Sequence, residues 1–416
     1  MEIFLGIAVG VSLIIAIVGI GVWLVPEKLR WFRPRAYLAT DEIIMGEVAR
    51  QIQELQTGAV APPPGTVRVE IQALAAAAAD ETQQLLNQAL ELQRQHRERE
   101  AIERLLEAYR RDLPPKAKAQ LHILAGTGYL NLSELEQAES HYLQALAATE
   151  EAADQEGKAT SLSNLGLVYA YRGDLDRAED HHKQALDIDR EIGNKLGEAQ
   201  VLGNLGNVYA DRRDLETAAE YLQQALTIHR EIGDRLGEAQ VLGNLGLVYY
   251  QRGDLSKAEE HYKRSLAIHQ EIGTKLGQAA ALGNLGNVYA QSGDLERAEE
   301  DLQKALDIQT AIGDRLGQAN QLTSLGIVYA ERGDLDEAEE HLKKALSIHE
   351  EIGNKLGQAN QLANLGLVAE KRGDARTARG FLERAAQLYD AIGAGGPRPE
   401  AVRAALQDLE SQPAED

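Results

Sequence analysis

Residues 241–280, VLGNLGLVYYQRGDLSKAEEHYKRSLAIHQEIGTKLGQAA, decide the fold, because the same 40-residue unit recurs in register on both sides of them. Gly166, Gly206, Gly246, Gly286, Gly326 and Gly366 fall at one phase of the repeat, and Ala178, Ala218, Ala258, Ala298, Ala338 and Ala378 at another. A period of this length marks stacked units, none of which can bury its apolar face alone.

Within the unit, Leu242, Leu245, Val248 and Tyr249 recur at spacings of three and four and so line one stripe of a helix. Gly253 ends that helix and Asp254 is placed to cap a second, whose Leu255, Ala258, Tyr262, Leu266 and Ile268 turn inward. Each unit is therefore expected to be an antiparallel helical hairpin. The closing IGTKLG or IGDRLG is expected to leave Ile272 or Ile312 on the core side and to turn the chain at Gly273 or Gly313. Asn194, Asp234, Thr274, Asp314 and Asn354 then cap the hairpins that follow.

Leu285, Gly286, Tyr289, Ala298, Leu302 and Ala305 resemble the tetratricopeptide (TPR) pattern at its Leu, Gly, Tyr, Ala, aromatic and Ala positions. The 40-residue spacing, with NLG in the first helix and GDR or GNK near the end, is similar to the Pins/LGN class. That resemblance implies an all-α superhelical solenoid of antiparallel hairpins whose groove binds extended peptides.

Ahead of the repeats, residues 3–25, IFLGIAVGVSLIIAIVGIGVWLV, carry no charge, and 23 residues at about 1.5 Å each suffice to cross a ~30 Å hydrocarbon core. One N-terminal transmembrane helix is expected. Glu2 rather than a basic cluster precedes the stretch and Pro26 follows it, which favours an uncleaved anchor over a signal peptide. Lys28, Arg30, Arg33 and Arg35 all lie after it, so the positive-inside rule puts the C-terminal repeats in the cytoplasm. The expected organisation is an anchor over 1–26, a juxtamembrane helix and Pro-rich linker over 27–79, a solenoid over 80–396, and a capping helix with a polar tail over 397–416. For the amphipathic stretch 40–56, two readings stand open: it lies on the membrane, or it packs on a partner.

A net charge of −22 argues against nucleic acid, since phosphate binding needs clustered Lys and Arg. With no cysteine there is no disulfide, thiolate chemistry or Cys-based zinc site. His141, His181, His261 and His341 share one phase, and His229, His269 and His349 another. Copies in neighbouring units stand about 8–10 Å apart, too far to share one zinc, and are read as surface residues multiplied by duplication. GNLGN is glycine-rich but lies inside a helix, which removes the nucleotide-loop reading. No catalytic group, metal or cofactor is expected.

The informative polar residue is asparagine. Asn164, Asn204, Asn244, Asn284 and Asn364 share one phase of the first helix, and with Gln200, Asn207 and Asp211 they make a stripe separate from the Leu/Val/Tyr one. Gly203, Gly243 and Gly283 precede the asparagines at a cost of ~1 kcal/mol each relative to Ala, which a close backbone approach would explain. The expectation is a groove-facing ladder in which Asn204, Asn244 and Asn284 hold a peptide main chain. Gln200, Gln240, Asn207, Asn287, Tyr250 and Gln291 would set side-chain preference, with Asn164, Asn320, Asn360 and Asn364 extending the row. Buried structural amides are the competing reading. The expected function is a membrane-anchored scaffold for a protein or peptide partner, with no support in the residues for self-association. An assembly chaperone for membrane or envelope complexes, or an accessory or sensor subunit of an enzyme, are the alternatives.

Overall fold

A computed structural model describes residues 98–109, 113–394 and 396–411, with Leu85, Gln88, Ala89 and Leu92 ahead of them. The expected anchor over 3–25, the 40–56 helix and the Pro-rich linker lie outside the described residues. Among those described, no helix is long and apolar enough to cross a membrane.

The described residues form sixteen helices and no strand. After α1 (Glu98–Tyr109) come α2 (Pro115–Asn131) with α3 (Leu135–Glu151), α4 (Gln155–Tyr171) with α5 (Leu175–Ile192), and α6 (Lys195–Asp211) with α7 (Leu215–Glu231). Then follow α8 (Arg235–Arg252), α9 (Leu255–Glu271), α10 (Lys275–Ser292) with α11 (Leu295–Ile312), α12 (Arg315–Arg332) with α13 (Leu335–Glu351), α14 (Lys355–Lys371) with α15 (Ala375–Ala391), and α16 (Pro397–Ser411). They make two compact units. One holds the helices up to Arg252 together with Ala267–Thr274; the other holds Gly253–Leu266 and everything from Lys275 on.

Local chemistry sets the helix ends. Asp174, Asp214, Asp294 and Asp374 accept from the amides of Arg177, Thr217, Arg297 and Thr377 at 2.9–3.2 Å, each satisfying a donor that the first turn leaves free. Asn194, Asp234, Asp314 and Asn354 do the same for Gly197, Gly237, Gly317 and Gly357. Thr274 departs from the expected cap: its hydroxyl lies 2.7 Å from His269 Nδ1 instead. The turns need positive φ, supplied by Gly253 at 80° and Gly273 at 77°. At the phase of Gly253 the chain has Arg213, held at φ 68° without the freedom of glycine.

Hairpins close through the phase of Gly206 and Gly286. A Cβ at Gly286 would stand 2.6 Å from Leu302 Cγ and 3.2 Å from the Ala298 carbonyl oxygen, so glycine permits the helices' closest approach. Ala298, Leu302 and Ala305 are fully buried beside it. In the second unit α16 lays Val402 and Leu409 into the core of the last hairpin beside Leu382 and Tyr389. The isoleucines of the turns divide. Ile272 does pack, half-buried, against the core as expected, and Ile312 is half-buried, but their equivalents Ile192, Ile232 and Ile352 are 39–41% exposed, because the left-handed turn directs them past the seam.

Candidate functional site: the faces of the first helices

The first helix of each hairpin packs against the first helix of the next, α4 on α2, α6 on α4 and α8 on α6 in the first unit, and α12 on α10 in the second. These serial faces carry the asparagine stripe, and the structure separates it into two sets. Asn164, Asn204, Asn207 and Asn364 are no more than 3% exposed. They do not stand open, which corrects the expectation of a groove-facing row at these four positions. The cause is the adjoining helix: Asn204 Nδ2 donates to Ser163 Oγ at 3.2 Å, so α4 covers it, and Asn364 Oδ1 accepts from Arg398 at 2.6 Å. Gln200, Gln240, Asn244, Tyr250, Asn284, Asn287, Gln291, Asn320 and Asn360 are half-buried and retain a solvent face.

Several amides in both sets lack partners. Both side-chain polar atoms of Asn207, and Oδ1 of Asn284, Oε1 of Gln291 and Oε1 of Gln251, are closed off from water with no hydrogen bond. Closed-off amide groups without bonds cost about 1–3 kcal/mol each, which makes their positions candidate contact points for a hydrogen-bonding chain. The mid-helix glycines divide in the same way. Gly203 has nothing within 4 Å of where a Cβ would stand, whereas at Gly283 the Cβ would meet Gln321 Nε2 at 2.7 Å. Room for the next unit's glutamine therefore explains Gly283, and Gln361 repeats the contact by donating to Thr323 Oγ1 at 2.8 Å.

One functional-looking pattern lies off this face and went unread in the sequence. The hydroxyls of Tyr169, Tyr209, Tyr289 and Tyr329 donate at 2.6–2.9 Å to Glu139, Glu179, Glu259 and Glu299, each 30 residues earlier. Arg172, Arg212 and Arg332 grip three of those same carboxylates. Burial acts to raise the Glu179 carboxyl, but Lys183, Tyr209 and Arg212 outweigh it and hold the group down at about 2. The spacings of 30 and 33 are visible in the sequence once a partner in the preceding hairpin is sought. The clamp is a stabilising link between units, with its glutamate half-buried and saturated.

The histidines at the phase of His229 are not surface copies. His229, His269 and His349 are 3–7% exposed and sit where each hairpin hands over to the next, His229 Nδ1 lying 2.9 Å from Asp234. His182 is completely buried with both ring nitrogens unbonded, and burial, with His181 nearby, lowers its pKa to about 3. At its phase other hairpins carry Leu222, Leu302, Leu342 and Leu382. His141, His181 and His341 are half-buried, their rings 4.9–5.2 Å from those of Tyr129, Tyr169 and Tyr329. Among the described residues no three or more His, Asp or Glu side chains gather as metal ligands.

Three carboxylates stand apart in their electrostatics, one of them Asp314, which burial pushes up to about 6 although the Gly317 amide donates to it. Burial pushes Asp189 up to about 7 although Asn194 donates to it at 2.8 Å. Asp211, four residues beyond Asn207 on α6, is also pushed up to about 7 by burial, and Arg213 opposes that through space.

Helical hairpins stacked at a 40-residue period with a Gly/Leu seam define a TPR-type array. The Tetratricopeptide repeat family model matches residues 118–191, 197–271, 277–351 and 318–391, and the chain belongs to that family. No curated protein matches it. Among solved structures it is similar to a Signal Transduction ATPase with Numerous Domains protein bearing a tetratricopeptide repeat sensor, from Pyrococcus horikoshii. The TM-score is 0.57 at 19% identity, over 88% of this chain and 55% of that one. It is also similar to aspartyl phosphate phosphatase F from Bacillus subtilis, with TM-score 0.56 at 15% identity over 89% and 95% of the two chains. A Rap protein complexed with Competence and Sporulation Factor gives TM-score 0.55 at 17% identity over 92% and 96%. These likenesses are of fold.

Proposed function

We propose that the chain is a membrane-anchored protein–protein interaction scaffold that binds an extended segment of its partner along the faces of the first helices. The observation that carries this is the row of half-buried amides on those faces, with Asn284 Oδ1 and Gln291 Oε1 desolvated and unbonded in the second unit. Extended peptide backbone offers donors and acceptors at a regular rise, so a repeated amide can meet successive peptide groups without reading their side chains. The readers proposed here are Gln200, Gln240, Asn244 and Tyr250 in the first unit and Asn284, Asn287, Gln291, Asn320 and Asn360 in the second. Asn164, Asn204, Asn207 and Asn364 act instead from beneath the surface. A Rap protein of the same fold, solved in complex with Competence and Sporulation Factor, adds fold-level support only. The anchor belongs to this proposal through the uncharged stretch 3–25, with the basic cluster after it placing the repeats in the cytoplasm. The chemistry of any enzyme in the assembly is assigned to the partner.

The test is selection of dodecapeptides displayed on phage against the full chain in detergent, followed by anisotropy titration of the winners. Gln240→Ala with Asn244→Ala is expected to weaken binding about tenfold, from two bonds worth about 0.5–1.5 kcal/mol each. Unchanged affinity with intact helicity places the binding surface elsewhere.

A further inference from the structure

The inference deepens the reading just given and rests on it, naming the chemistry of one group that the first-helix face receives. In the second unit the chain lays one of its own arginines on this face. Arg398, at the start of α16, donates to Asn364 Oδ1 at 2.6 Å and to the Asn360 carbonyl at 3.3 Å. The Asn360 and Asn364 phase thus accepts a guanidinium.

In the first unit that phase holds Gln200 and Asn204, the latter bonded to Ser163, and the unfilled amide acceptors lie one turn further along α6 and on α8. Asn207 is 3% exposed with Oδ1 and Nδ2 both unbonded, and Gln251 Oε1 on the adjoining α8 is closed off and unbonded. Asp211 lies one helical turn past Asn207 on α6, half-buried, and burial makes its charge costly at neutral pH even with Arg213 acting on it through space. Carboxylate and amide oxygens are all acceptors, and a guanidinium or ammonium is all donor. We propose that Asn207, Asp211 and Gln251 form a subsite for a cationic side chain, arginine or lysine, carried by the extended peptide. Pairing offsets the desolvation of Asp211, and the net charge of −22 favours the approach of a basic segment.

The probe is a dodecapeptide selected by display on the full chain. The expected winners share an Arg or Lys, and Asp211→Asn weakens them about tenfold or more, the range for a hydrogen bond to a charged group. Glu216→Gln, an exposed carboxylate at the start of α7, leaves the affinity unchanged and so separates the subsite from general attraction to an acidic chain. Citrulline in place of the peptide's arginine weakens binding to the unaltered protein equally and to Asp211→Asn no further, a readout that does not depend on the variant's folding. Peptides that respond to Gln240→Ala with Asn244→Ala but carry no cation, or ignore Asp211→Asn, overturn the subsite and leave the scaffold reading standing. Selection of no peptide sensitive to any substitution on this face overturns both.

Discussion

Replacing Gly286 with valine tests the packing at its tightest point. A Cβ there would lie 2.6 Å from Leu302 Cγ, 2.9 Å from Leu302 Cδ2 and 3.2 Å from the Ala298 carbonyl oxygen, and valine adds two methyls beyond it. Leu302 is fully buried and the Ala298 oxygen is backbone, so α10 and α11 must part for the side chain to fit. Overpacking of this kind costs about 1–3 kcal/mol. Relief of the glycine's helix penalty returns about half a kcal/mol, since valine is a poorer helix former than alanine. A net loss of about 1–2 kcal/mol is expected, and because each unit is stabilised by its neighbours the loss spreads along the array. Urea unfolding of the full chain followed by circular dichroism measures it. Gly203→Ala is the internal contrast, because nothing stands within 4 Å of its Cβ and the same assay should show a gain of up to ~1 kcal/mol. An unchanged midpoint for Gly286→Val, or a loss for Gly203→Ala equal to it, refutes the seam.

His182→Leu should stabilise the chain by about 1–3 kcal/mol in urea unfolding, since it removes two unbonded buried nitrogens and installs the side chain used at that phase in four other hairpins. Asp189 and Asp211 both favour protonation when folded. Their contribution is complete below the unfolded value of 3.8 and is lost as pH rises to about 7. Asp211→Asn should therefore flatten the fall in stability between pH 4 and 7, and an unaltered slope in pH-dependent melting shows that Asp211 does not titrate there. If the 3–25 stretch anchors the chain as proposed, protease added to right-side-out vesicles leaves the repeats intact until lysis; digestion before lysis reverses the orientation.

The hairpin, its glycine seam and its caps were legible because each is local: spacings of three and four, an Asp or Asn before a helix, a glycine after it. Asn204 was misread because a helical stripe gives an angle around one helix and says nothing of what the adjoining helix covers; Ser163, 41 residues earlier, decides its burial. His229 and His349 were taken for surface residues for the same reason, their burial coming from the turn into the next hairpin. Ile232 erred the opposite way, apolar by type yet carried past the core by the left-handed turn at Gly233. The clamp of Glu179 by Tyr209 and Arg212 spans consecutive hairpins, so it falls outside any single-helix pattern.

The scaffold reading turns on which face meets the partner, and site-specific photo-crosslinking in cells measures that directly. A benzophenone amino acid in place of Leu247, half-buried on the face of α8, is compared with one in place of Gln224 on the exposed side of α7. The account predicts a discrete crosslinked product from position 247, abolished by Gln240→Ala with Asn244→Ala, and none from position 224. Product from position 224 alone, or product from position 247 that survives the double substitution undiminished, contradicts it.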